Sequence, residues 1–466
     1  MIPEAFFPMS SGRKSGLIIP SYGEEQRKGF FLRDGGYYMA LSDHADLTLL
    51  GGIYTQGSWE LSAASRYTKR YKYNGNFSLR FSNDKIGEKD DADYTNQRNF
   101  RVAWTHTQDA KFRPSSSFNA SVNLSTSGYV KNSSVPTLSD ALNTQTNSSI
   151  SYQKSWPGTP FSFSTNLQHS QNSSSGAHQV SFPNAVISMS RINPLKRKNP
   201  VGKQRWYEKI SMSYTGTLSN SVSLTEEDIK EHGLFSPETF KNMNGNMQHR
   251  IPVQTSFNLF NYINISPSVN YNERWNYRKI EQRWNDQENK REPADTTYGF
   301  YRLYNYNASI SASTKIYGTY LMKSKTFFLQ AVRHTITPSV SMTLTPNFGN
   351  PNYGFYEPIQ TDVSGTIDYY SPHEGAPGRN ASASIGFSVA QTLEAKVLSK
   401  PDTSGLKKIQ IIDNSSFSGS YNLLADSMKL STITLTLRPT LPFLTYFALN
   451  LSPVFDPYAV IHHHVR

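Results

Sequence analysis

Histidines, carboxylates and hydroxyls are the side chains that could carry catalysis, and their spacing in this sequence argues against it. The 11 histidines are scattered. His169, His178, His249 and His334 fall in or beside strand-like runs, and none belongs to an HExxH motif or an i, i+4 ligand pair with an adjacent acid. His462-His463-His464 has the right ligand type but reads as a terminal tract. No GxSxG, GxxxxGK[ST] or GxGxxG is present. Acids gather in loop-like stretches, which gives a paired-carboxylate hydrolase no framework. There is no cysteine, so disulfides and thiolate metal sites are excluded. The expectation is a protein that is not an enzyme and uses neither cofactor nor metal.

What remains is charge and backbone chemistry. Lys and Arg total 47 against 35 acids, a net charge of +12. That balance suits an anionic partner. Basic runs occur at Arg66, Lys69-Arg70 and Lys72, and at Lys196-Arg197-Lys198 with Lys203 and Arg205. A nucleic-acid groove would interleave them with stacking aromatics. Here the aromatics follow strand alternation, so no nucleic-acid partner is expected. Arg13, Lys14, Arg66, Lys69 and Arg70 are the candidate contacts to anionic lipid head groups.

The elements that must position these groups are strands. In Phe118-Asn119-Ala120-Ser121-Val122-Asn123-Leu124-Ser125 every even residue is apolar and every odd one is Asn or Ser. The same alternation marks Phe77–Phe81, Phe161–Ser164, Val340–Thr345 and Ile433–Leu437. Successive strand side chains point to opposite faces, so one face is greasy and the other hydrated. Aromatics make up 13% and mean hydropathy is −0.56, a combination unlike disorder and fitting a membrane β-barrel. No apolar run approaches the length of a membrane helix, which leaves the closed barrel as the membrane solution.

The pattern predicts an all-β, antiparallel transmembrane β-barrel of roughly 18–20 strands. Arg278 to Pro293, Asn132 to Ser149 and Ser170 to Gly176 read as loops. Leu224–Lys230 and Ser236–Phe240 read as a small helical insertion near 224–243. The barrel domain is expected over 1–460, with an atypical tail at 461–466. Met1-Ile2-Pro3-Glu4 lacks a basic and then apolar leader, so a mature chain or a fragment is expected.

The start of the chain stands apart. Arg13 to Gly23 reads as a short strand ended by Pro20, followed by a strand Gly29–Arg33, the pair Tyr37-Tyr38, and a hairpin from Ala45 through Trp59 to Tyr67. Pro3, Pro8 and Pro20 frame the first strand. Proline lacks a ladder donor and belongs at an edge or a weak pairing. A closed barrel has no edge, so this strand is expected at a seam able to part sideways.

These residues resemble the first barrel strands of the LptD family of lipopolysaccharide-assembly proteins. The likeness rests on Phe6-Phe7-Pro8, Arg13 through Ser21, Tyr37-Tyr38, Asp46–Leu49, Tyr54 and the hairpin to Tyr67. Later pieces resemble the Bacteroidetes branch in order along the chain. Among them are Trp104–Asp109, Phe182-Pro183-Asn184, Trp206-Tyr207-Glu208, Arg333-His334 and Asp456–Val460.

The resemblance implies translocation and insertion of lipopolysaccharide into the outer leaflet of a Gram-negative outer membrane, through a lateral gate. It implies gate residues Ser15, Gly16, Leu17, Ile18, Ile19 and Pro20, with Gly35 and Gly36 standing where the family has a second proline. It implies an LptE-like lipoprotein plug and a periplasmic bridge reaching the barrel through a jellyroll. The jellyroll and the last strands are expected to lie outside this chain. A general or TonB-type uptake channel and a secreted β-rich adhesin are the rival readings.

Overall fold

The computed structural model describes residues 13–87, 94–126, 128–129, 145–172, 175–199, 201–233, 236–323, 327–399, 406–440 and 450–459. Pro3, Phe6-Phe7-Pro8, residues 132–144 and His462-His463-His464 lie outside the described residues. The chain divides into two compact units, residues 1–188 with 216–247 and residues 189–215 with 248–466.

The first unit opens with ten strands: β1 (Gly16–Ile18), β2 (Ser21–Glu25), β3 (Gly29–Ser42), β4 (Ala45–Tyr54), β5 (Trp59–Lys69), β6 (Tyr73–Ile86), β7 (Thr95–Gln108), β8 (Ser116–Ser125), β9 (Gln145–Ser155) and β10 (Phe161–Asn172). Strands β11 (Ala177–Ile192), β12 (Ser211–Thr225) and β13 (Asn244–Gln254) give residues to both units. Between β12 and β13 lie α1 (Glu226–His232) and α2 (Pro237–Asn242).

Both helices start where the sequence supplies a cap. The Thr225 hydroxyl accepts from the Asp228 amide while the Asp228 carboxylate accepts from the Thr225 amide, and Ser236 accepts from the Thr239 amide. Ile229 packs onto a small buried cluster of Val180, Val222, Leu224 and Met243.

Period-two alternation fixes the register in this unit. The ladders place Leu17, Tyr37, Leu49, Ala63, Leu79, Val102 and Leu124 in one row across seven strands. Every member is apolar. One step along, the row reads Ile18, Gly36, Leu50, Ser62, Arg80, Arg101 and Ser125, which turns polar from β5 onward. A one-residue slip of any strand would exchange these faces, so keeping the apolar row on a single face specifies the register.

The second unit carries β14 (Phe257–Leu259), β15 (Ile263–Asn285), β16 (Lys290–Ser313), β17 (Ile316–Leu321), β18 (Leu329–Thr345), β19 (Glu357–Gln360), β20 (Ile367–Tyr370), β21 (Ser382–Leu398), β22 (Leu406–Asn422), β23 (Ile433–Thr436) and β24 (Val454–Phe455). Strands β19 and β20 form their own small sheet; the other 22 strands pair in antiparallel sheet. Three pairs are interrupted lines on a shared neighbour: β1 and β2 on β3, β13 and β14 on β15, β16 and β17 on β18. Counting each pair once leaves 19 lines among the described residues.

Three expectations change. Arg278 to Pro293 is not a loop: β15 and β16 run through it as a ribbon that turns only at 286–289. Several of its partly exposed charges also pair, with Lys279 on Glu281 at 2.5 Å and Arg283 on Glu292 at 2.9 Å. The loop-like Ser/Asn stretches are shorter than read, because 145–149 belongs to β9 and 170–172 to β10. Gly29–Arg33 is not a strand of its own; it begins β3, which continues through Gly35-Gly36 and Tyr37-Tyr38 to Ser42. Glycine and charge lowered the local strand signal, and cross-strand pairing overrode it.

Candidate functional site: the first hairpin

Strands β1 and β2 both lie antiparallel on β3. Gly16, Leu17 and Ile18 oppose Tyr38, Tyr37 and Gly36, and Ser21 to Glu25 oppose Arg33 to Gly29. The register is the same on both sides of the break, so no residue is inserted or lost. Only Ile19 and Pro20 drop out of the ladder. Pro20 therefore interrupts one continuous first strand rather than ending it.

The far side of β3 is weak at the same level. Pairing with β4 shifts register between Leu32/Ile53 and Gly35/Gly51, which leaves Arg33 and Asp34 in a bulge. Asp34 has φ 58°, the left-handed region that non-glycine residues seldom take. Arg33 meets it at 3.8 Å. A missing donor on one edge of β3 and a bulge on the other thus coincide.

The two glycines are there for close approach. A methyl group on Gly35 would stand 2.7 Å from Cβ of Pro20. A methyl group on Gly36 would stand 1.9 Å from the Leu49 carbonyl oxygen. With no side chain at Gly35, the surface beside Pro20 opens into an apolar groove of about 400 Å3 lined by Pro20, Leu32, Gly35, Ile53, Trp59 and Leu61. Leu17, within the ladder, and Ile19, outside it, are 84% and 88% exposed.

Both ends of the hairpin are tied. At the chain start, the Asp46 carboxylate accepts from Arg13 at 3.2 Å, from the Tyr38 hydroxyl at 3.4 Å and from the Arg66 amide at 2.9 Å. The Ser15 hydroxyl accepts from the Ala40 amide at 2.9 Å. At the turn, Lys28 reaches Asp84 at 2.6 Å with both side chains buried. Ser82 and Asn99 donate to the other Asp84 oxygen at 2.8 and 2.7 Å. The hairpin is fastened at its two ends and loose at its middle.

The structure brings the eight gate candidates together: Ser15, Gly16, Leu17, Ile18, Ile19 and Pro20 face β3 at or near Gly35 and Gly36. It divides the lipid-contact candidates. Arg13 is committed to Asp46, while Lys14, Arg66 and Arg70 are exposed. Arg70 lies over the Tyr71 ring at 4.8 Å from its centre. Lys69 is partly covered at the end of β5.

The basic run of the second unit is partly neutralised. Glu208 accepts from the Arg197 side chain at 2.5 Å and from the Arg205 amide at 2.6 Å. The Arg197 hydrogen bond, helped by the Arg205 amide, holds the Glu208 carboxyl down at about 2. Sequence reading missed Asp34, Asp46 and the Lys28–Asp84 pair. The lone acid between apolar Ala45 and Leu47 was a signal for Asp46; a pair 56 residues apart left none. Among the described residues no three His, Asp or Glu side chains gather as a metal site, and no helix is long and apolar enough to cross a membrane.

A protein-family profile described as "LptD protein" matches residues 1–458. No curated protein matches the chain. Among solved structures, a double mutant of the Serratia marcescens hemophore receptor HasR, in complex with its hemophore HasA and heme, is similar at 7% identity and a TM-score of 0.22. The match covers 92% of this chain and 73% of that one. So loose a superposition carries no argument about this chain.

Proposed function

The chain belongs to the LptD family, and on that premise we propose that its first hairpin is the movable side of a lateral exit for lipopolysaccharide. Membership makes it a protein of lipopolysaccharide transport and assembly at the outer membrane, with the antiparallel fold of a large β-barrel. The finer reading is ours. Acyl chains leave sideways past Ser15–Pro20 into the bilayer, and the sugar part follows the polar face.

One observation carries this reading. The ladder between the first strand and β3 is broken at Ile19-Pro20 without a change of register, opposite a bulge at Arg33-Asp34. Such a strand can separate in its middle while Asp46 and Asp84 hold its ends. Gly35 and Gly36 stand where the family has a second proline and let Pro20 and Leu49 approach β3 closely. The barrel domain takes in residues 1–460, with 461–466 a separate tail. An LptE-like lipoprotein fills the lumen, and a periplasmic bridge delivers cargo. The work of transport comes from outside this chain. Nothing observed favours an uptake channel or an adhesin instead.

The test is a disulfide in the full-length protein between Leu17→Cys and a cysteine on the last barrel strand. Oxidation should stop the appearance of lipopolysaccharide at the cell surface, and reduction should restore it. Export that continues with the bond formed would overturn the gate.

A further inference from the structure

The hairpin tips of the first unit carry a cationic patch that the gate reading does not use. Turn 70–72 joins β5 to β6 and turn 109–115 joins β7 to β8. Together with the last residue of β5 they hold Lys69, Arg70, Lys72, Lys111 and Arg113, of which all but Lys69 are exposed. None of the five is in an ion pair among the described residues. The two turns hold a single acid, Asp109, whose carboxylate accepts from the Lys111 amide. Asp43 lies on the neighbouring tip.

Two exposed rings knit the turns together. Arg70 and Lys111, from different turns, both lie over Tyr71, at 4.8 and 5.4 Å. Lys72 and Arg113 both lie over Phe112, at 5.4 and 5.2 Å. Each ring thus holds one cation from its own turn and one from the other, so the charges are gathered rather than splayed. Behind them Tyr67, Tyr73, Trp104, His106 and Phe118 form a continuous ring cluster with centres 5.3 to 6.2 Å apart. Trp104 donates to the Tyr67 hydroxyl at 2.8 Å, which keeps the polar edges of the rings satisfied among themselves. Amphipathic rings beneath a cationic rim are the makeup of a membrane–water boundary.

The connections tell which boundary. At this end of the unit β3–β4, β5–β6, β7–β8 and β9–β10 are joined by 2, 3, 7 and 5 residues. At the other end β2–β3, β4–β5 and β10–β11 are joined by 3, 4 and 4 residues, but β6–β7 and β8–β9 by 8 and 19, and the helical insertion follows β12, so the unit's long connections gather there. Outer-membrane barrels keep their short turns on the periplasmic side.

We infer that this patch binds the phosphates of acidic glycerophospholipids in the periplasmic leaflet, holding the barrel wall beside the first hairpin at a fixed depth. The inference rests on the outer-membrane reading but not on the gate. It reassigns Lys69 and Arg70 from generic anionic lipid to that leaflet and adds Lys72, Lys111 and Arg113. Phosphodiester oxygens accept from the ammonium and guanidinium donors, while acyl chains lie along the apolar row that includes Leu79 and Val102.

The test is native mass spectrometry of the detergent-purified full-length protein, titrated separately with phosphatidylglycerol, phosphatidylcholine and lipopolysaccharide. A surface cation contributes about fivefold to membrane affinity. Replacing all five cations by Gln should cut phosphatidylglycerol retention more than about a hundredfold, and Lys72→Gln with Lys111→Gln should cut it about twenty-five-fold. Phosphatidylcholine and lipopolysaccharide retention should stay within twofold of the parent, as should surface export in cells. If the fivefold variant does not fold, the double variant decides. Unchanged phosphatidylglycerol retention overturns the proposal. Parallel loss of lipopolysaccharide overturns it as well, because the cations would then serve the cargo. Selective loss of phosphatidylglycerol in these variants, together with export that continues through the Leu17→Cys disulfide, would instead remove the gate and leave this site standing.

Discussion

Two hairpins of this chain use the same devices to opposite ends. The first, β1–β2 on β3, has 8 paired positions in two pieces. The second, β15 on β16, has 21 paired positions and absorbs two register shifts without either strand ending before the turn. Both contain a proline within the strand. Pro20 drops out of its ladder, whereas Pro267 keeps its place opposite Ile310. A proline alone therefore does not make a weak point. Pro267 is flanked by residues whose side chains also bond across the pair: Ser268 with Ser309 at 2.7 Å, Asn270 with Asn307 at 3.0 Å, Asn272 with Asn305 at 2.9 Å. Pro20 sits against a side-chain-free Gly35, next to a bulge that loosens the other edge of β3. Context on both edges decides whether a missing donor interrupts the ladder.

The comparison breaks most readily at the buried end of the first hairpin. Asp84→Ala would leave the Lys28 ammonium buried without its carboxylate and strip Ser82 and Asn99 of an acceptor. Removing one partner of a buried ion pair costs about 3–5 kcal/mol. Urea unfolding of the full-length protein in detergent micelles should show a loss of that order, with the first hairpin the earliest segment to exchange amide hydrogens. A loss under 1 kcal/mol would mean that the turn end is not anchored and that the weak pairing is not confined to Ile19-Pro20.

The second way to sharpen it is to press on β3 from the β4 side. Gly36→Ala puts a methyl group 1.9 Å from the Leu49 carbonyl, so the strands must part or twist. Overpacking of this kind costs about 1–3 kcal/mol. The control is Gly51→Ala, where the nearest atom is 3.6 Å away and no comparable loss is expected. Thermal shift of the two variants side by side reads the difference. Equal shifts would show that Gly36 is present for flexibility rather than for close approach.

Much of this was legible in the sequence. Alternation in Phe118–Ser125 gave the strand and its faces, and Leu224–Lys230 marked the helical insertion. The weak first strand was visible through Pro20. What stayed hidden needs partners distant in sequence. Nothing local says that Arg33-Asp34 bulge, because a bulge is a mismatch between two strands. Nothing in Arg278–Pro293 distinguishes solvated charge from charge paired across a ribbon. Asp84 looked like any polar residue in a strand until folding brought Lys28 to it, and the isolation of Asp46 between Ala45 and Leu47 did not say that Arg13 would be its partner.

The smallest effect belongs to the long hairpin. Asn305→Val removes one cross-strand amide pair, leaving the Asn272 amide without its acceptor. A net hydrogen bond is worth about 0.5–1.5 kcal/mol. Valine returns part of that through its better fit to a pleated strand. The unfolding midpoint should therefore fall only slightly, and hydrogen exchange should rise at β15–β16 positions next to residue 305 without spreading along the ribbon. With 21 backbone pairs, that ribbon can lose a side-chain rung and still pair continuously. If instead the whole ribbon exchanges, its continuity depends on the Asn and Ser pairs as much as the first hairpin depends on Asp46 and Asp84. The contrast between the two hairpins would then lie in their side-chain ties, not in how their backbones pair around a proline.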